Sequence, residues 1–96
     1  MDASGLSIGE KIRLIRESTG EGRTLFARRI GITQDALTKI ENGKQRARED
    51  AIENVAKLWP EYAYWLVTGR TDPGAGHISP AIESKTEDLD ERGMAG

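Results

Sequence analysis

Glycine and proline punctuate this chain so closely between Ser7 and Gly69 that only short helices fit between them. Gly20, Gly22, Gly31, Gly43 and Gly69 each follow a stretch of helical apolar periodicity, as does Pro60. A glycine free to adopt left-handed backbone ends a helix at such a place, and a proline forbids its continuation. Ser7-Ile-Gly-Glu10 is a capping box, in which the serine hydroxyl and the glutamate carboxylate satisfy orphan amides, so the first helix is expected to begin there. Ile8, Ile12 and Ile15 form its apolar stripe, with Lys11, Arg13, Arg16 and Glu17 expected to face elsewhere.

The second helix is predicted over Arg23 to Ile30, with Phe26 and Ile30 inward and Gly31 as its left-handed stop. Thr33 caps a third, whose Leu37 and Ile40 point inward and which Gly43 closes. Ile52, Val55, Ala56 and Trp59 fit a fourth helix from about Arg48 to Trp59, with Glu49 and Asp50 at the positive end of its dipole and Lys57 near the negative end. A fifth spans roughly Glu61 to Val67 and buries parts of Tyr62, Trp65 and Leu66. Nothing alternates like a strand, so the expected fold class is all-α, a five-helix domain over residues 1–70.

Beyond Arg70 the composition shifts to glycine, proline, serine and charge, with Ile78, Ile82 and Leu89 too isolated to form a core. A flexible acidic tail is expected over residues 71–96, the alternative being a dimer-docking arm around Gly76 to Ile82. The net charge of -2 averages two unlike regions. From Arg23 to Arg48 there are seven bases (Arg23, Arg28, Arg29, Lys39, Lys44, Arg46, Arg48) against two acids (Asp35, Glu41), whereas from Thr71 onward six acids face two bases. A basic patch and an acidic tail cancel only on paper.

At 96 residues the chain has room for one modest core. It lacks cysteine, which removes disulfides and thiolate metal sites. His77 is the sole histidine, with no partner residue for a metal. No segment approaches the ~20 apolar residues of a membrane span, and no export signal opens the chain, so a cytoplasmic, nucleoid-associated protein with no membrane partner is expected. No Ser/His/Asp or Cys/His set, HExxH motif or phosphate loop is present, so no catalytic residues, metal or cofactor are expected.

Two short helices joined by a tight glycine turn must cross steeply, and Ala27, Gly31, Ile32, Leu37 and Ile40 meet the size and conformation that crossing requires. With the ending Glu41-Asn42-Gly43-Lys44, this segment resembles the Cro and CI repressor family of helix-turn-helix proteins, often called the XRE family. The resemblance extends from Ile8 to about Gly69. It implies double-stranded DNA as partner, with the third helix entering the major groove. On that resemblance Gln34, Asp35, Thr38 and Lys39 would read base edges, Gln34 favouring adenine and Lys39 guanine. Arg23, Asn42, Lys44, Arg46 and Arg48 would hold phosphates, and Arg16 would pair with Glu41 to join the first and third helices. Gly22 and Arg23 depart from the family's usual serine and glutamine, yet the glycine still leaves amides facing a phosphate and the arginine adds charge.

The resemblance further implies a homodimeric transcriptional repressor on a palindromic operator. Tyr62 to Thr68 resembles the end of many small regulators from bacteria, prophages and other mobile elements. The alternative is an antitoxin that binds a protein toxin through its acidic tail and autoregulates its operon, and a protein partner of either kind, toxin or antirepressor, is compatible with the tail. Arg28 and Arg29 are read as solvated surface charges, and Trp59, Tyr62, Tyr64 and Trp65 as core with an exposed remainder suited to a dimer contact rather than a platform for single strands.

Overall fold

The computed structural model describes residues 5–80. Five helices follow one another: α1 (Ile8–Thr19), α2 (Arg23–Ile30), α3 (Gln34–Glu41), α4 (Glu49–Leu58) and α5 (Ala63–Thr68), with 3-10 turns at Pro60–Tyr62 and Pro73–Ala75. Among the described residues, extended pairing is limited to one antiparallel bridge, Asp72 with His77. The fold is all-α.

Local chemistry sets the element ends. The Ser7 hydroxyl accepts from the Glu10 amide, and the Glu10 carboxylate accepts from the Ser7 amide, both at 3.1 Å. Gly31 adopts φ +79°, which lets the Ile32 amide donate back to the Ala27 carbonyl (2.9 Å) while the Gly31 amide reaches Arg28 (3.2 Å). These two bonds form a Schellman motif and turn the chain sharply into α3, where the Thr33 hydroxyl accepts from the Ala36 amide. Asn54 of α4 donates to the Ile30 carbonyl at 3.0 Å, satisfying another orphan at the end of α2.

Ile12 and Ile15 from α1, Phe26, Ala27 and Ile30 from α2, and Leu37 and Ile40 from α3 meet Val55, Trp59, Trp65 and Leu66 in one buried cluster. Phe26 stacks on Trp59 with centroids 5.1 Å apart. The helices approach closely at Gly9, where an added Cβ would stand 2.1 Å from the Ile40 carbonyl oxygen, so only glycine lets the start of α1 rest on the backbone of α3.

Three sequence expectations are corrected. Lys11 does not face solvent: it is buried, and its Nζ donates to the Leu66 carbonyl at 3.1 Å, an orphan acceptor in the last turn of α5. Burial pushes this ammonium below its ordinary pKa. The predicted fifth helix divides, because Pro60 opens a 3-10 turn and regular helix starts only at Ala63. Structure also continues past Arg70. The Asp72–His77 bridge folds the Pro-Gly segment on itself, the Ile78 amide donates to the Glu61 carbonyl (3.0 Å), and Ser79 is buried. This part of the expected tail, including most of the suggested arm, packs on its own chain. The acidic residues from Glu83 to Glu91 lie outside the described residues.

Among the described residues no helix is long and apolar enough to cross a membrane.

Candidate nucleic-acid interface

Leu37, Ile40 and Glu41 turn α3 toward the core, which leaves Gln34, Asp35 and Lys39 exposed and Thr38 half-buried on its outer half. Two i, i+4 contacts order this edge, one between side chains and one from a side chain to the main chain. Lys39 Nζ lies 3.1 Å from Asp35 Oδ2. The Thr38 hydroxyl donates to the Gln34 carbonyl at 3.0 Å, so its proton is committed to the helix and only its lone pairs and methyl remain for a neighbour. Gln34 is the first helical residue, and its Oε1 accepts from the Thr24 hydroxyl of α2 at 2.8 Å.

Behind this edge sits a buried carboxylate. Glu41 accepts from Arg16 Nε at 2.7 Å and Nη2 at 3.0 Å, and from Arg23 Nε at 3.0 Å. Its side chain is wholly buried, and the hydrogen bond to Glu41 raises the Arg16 pKa, which keeps the guanidinium charged beside it. The expected Arg16–Glu41 pair is present, joining α1 to α3. Arg23 is a third member that spacing alone did not reveal. Its Nε is held by Glu41, leaving the outer guanidinium nitrogens at the start of α2, where Gly22 provides no side-chain cap to compete for the first amides.

Asn42, Lys44, Arg46 and Arg48 are all exposed after α3. The structure divides them: Lys44 and Arg46 border a cleft against Ser7 and Gly9 at the start of α1, whereas Arg48 borders another with Thr33 and Ala36 beside the start of α3. Arg28 is exposed as expected. Arg29 is not simply solvated, since it pairs with Glu21 and lies 4.9 Å over the Trp59 ring. Trp59 and Trp65 are buried and Tyr64 is exposed, in keeping with a core role for the aromatics.

Two residues escaped the sequence reading. Thr24 contacts Gln34, and Asn54 secures the turn between α2 and α3. Each depends on a contact between helices that apolar periodicity does not encode.

A short helix laid across its predecessor after a tight glycine turn, with a polar outer edge and basic flanks, defines a helix-turn-helix module. Residues 7–59 match the family described as helix-turn-helix domain. The chain belongs to that family, in its Cro/CI repressor branch, and so to the DNA-binding transcriptional regulators. It is 30% identical over 78 residues to Repressor protein C of Escherichia phage P2, covering 79% of each chain. It is also 30% identical over 83 residues to the HTH-type transcriptional regulators for conjugative element R391 of Providencia rettgeri and conjugative element SXT of Vibrio cholerae. Those matches cover 82% of this chain but 38% of each relative.

Proposed function

We propose that the chain is a sequence-specific repressor that occupies a palindromic operator in double-stranded DNA as a homodimer. The observation that carries this reading is the outer edge of α3, where Gln34, Asp35, Thr38 and Lys39 project from a helix clamped from behind by the buried Glu41. These four side chains read base edges. Arg23, Asn42, Lys44, Arg46 and Arg48 hold the phosphates on either side, which fixes register without carrying sequence information.

One recognition helix contacts few base pairs, so useful specificity requires a second copy about one helical turn away, ~34 Å. Tyr64 and Val67 supply exposed apolar surface on α5 for that copy, Val67 with 64% of its area accessible. The family resemblance and the names of the relatives, a repressor and two transcriptional regulators, support repression as the outcome.

Selection of bound sites from random duplex DNA tests the reading. The expected product is a palindrome with half-sites one helical turn apart, bound by two chains. Recovery of no enriched sequence overturns it.

A further inference from the structure

An exposed glutamine ordinarily samples many rotamers, and its amide can turn end for end so that oxygen and nitrogen exchange places. Gln34 is constrained at the tip of its side chain. The Thr24 hydroxyl, on the neighbouring helix, donates to Gln34 Oε1 at 2.8 Å. Thr24 is itself anchored in the first turn of α2 beside Arg23, whose Nε is tied to the buried Glu41. The hydroxyl therefore reaches Gln34 from a fixed support.

With its tip bound to Thr24, the amide stays at one place on the outer edge of α3 and keeps its N–H donors and one oxygen lone pair for a neighbour. Adenine presents an acceptor at N7 and a donor at N6 on its major-groove edge, which calls for one glutamine donor and one glutamine acceptor in a set order. Guanine presents two acceptors, and thymine one acceptor beside a methyl group. An amide free to turn can follow its nitrogen to any of these acceptors. An amide whose tip is tethered to α2 is confined to the base that meets its donor and its acceptor at that one place.

We propose that Thr24 is a specificity-determining positioning residue, tethering the tip of Gln34 so that the donor and acceptor of its amide meet adenine together. The proposal rests on the reading that Gln34 faces a base edge.

The test uses the selected operator with each base of one half-site replaced in turn, and the full-length chain as wild type, Thr24→Val, Thr24→Ser and Gln34→Ala. Valine keeps the shape of threonine without the hydroxyl, and serine keeps the hydroxyl. Thr24→Val is expected to lose about 2- to 10-fold of the discrimination at a single position, the same position that Gln34→Ala relaxes, as the amide regains its freedom. Thr24→Ser is expected to restore it. If Thr24→Val discriminates like wild type while Gln34→Ala does not, the role of Thr24 is overturned and base reading by Gln34 stands. If Thr24→Val weakens all sequences equally, Thr24 acts on phosphate and the proposal fails. If Gln34→Ala changes no preference, the underlying reading of Gln34 falls, and the proposal with it.

Discussion

Arg16 and Glu41 meet through two parallel hydrogen bonds, Nε to Oε2 at 2.7 Å and Nη2 to Oε1 at 3.0 Å, with the carboxylate fully buried between α1 and α3. The arrangement ties α3 to α1 through a charge pair that water does not reach. A buried carboxylate that loses its principal partner is strongly destabilising, because the remaining charge stays desolvated. Arg16→Met is expected to cost about 3 to 5 kcal/mol, and Glu41→Leu a similar amount. The double variant Arg16→Met/Glu41→Leu is expected to lose much less than the sum, although it leaves Arg23 without its acceptor. Urea unfolding of the four proteins checks this, and additive losses would refute the coupling.

Gly9 supplies a second tie between the same helices. In an open helix position, replacing glycine by alanine stabilises by roughly 0.5 to 1 kcal/mol. Here the new Cβ would stand 2.1 Å from the Ile40 carbonyl oxygen, a backbone atom that no rotamer change can move aside. Gly9→Ala is therefore expected to reverse the usual sign and cost about 1 to 3 kcal/mol, as overpacked cores do. Thermal unfolding gives the sign directly, and a stabilised variant would show that α1 slides freely on α3.

The features legible in the sequence are the ones that short-range chemistry determines. The capping box at Ser7, the left-handed stop at Gly31 and the cap at Thr33 depend on neighbours within a few residues, and the three helices they bound lie where the sequence places them. The Arg16–Glu41 pair was legible only through family resemblance. Lys11 shows a different failure. It falls three residues after Ile8 and four before Ile15, squarely on the apolar stripe, but its charge argued for solvent. The acceptor that makes its burial tolerable, the Leu66 carbonyl, lies on another helix. The order of the segment from Thr71 to Pro80 is hidden for the same reason: glycine and proline mark turns locally, while the Glu61 carbonyl that receives the Ile78 amide is a tertiary fact.

The Lys11–Leu66 bond yields a pH-dependent prediction. Lys11→Met fills the same apolar path but leaves the carbonyl unpaired, an expected loss of about 1 to 3 kcal/mol. Burial holds the folded Lys11 pKa below 10.5, so between that lowered value and 10.5 the unfolded chain binds more protons than the folded one. The contribution of Lys11 to stability is accordingly smallest below the window and rises as pH climbs through it. The gap between wild type and Lys11→Met is expected to be wider near pH 10 than at pH 7, measured by urea unfolding at both. A gap that narrows with pH would show that the charged ammonium is the favoured buried form.

On the proposed reading, the flanking arginines and Lys39 differ in what their charge can release on DNA. Each phosphate contact displaces condensed counterions, so log affinity falls with log salt at about -0.9 per contact. If each arginine holds one phosphate in a proposed dimer, Arg46→Gln or Arg48→Gln removes two contacts, and the slope is expected to become shallower by about 1.8, with equal weakening on every sequence. Lys39 stands 3.1 Å from Asp35, so on the same reading it would meet the groove as half of a neutral pair and displace little. Lys39→Gln is thus expected to leave the salt slope nearly unchanged while costing roughly 1 to 3 kcal/mol at one base position. Titrations across a salt series, on the operator and on unrelated DNA, separate the two behaviours. A slope change at Lys39 equal to that at Arg48, with no change in base preference, would move Lys39 from the reading edge of α3 to the phosphate-holding set.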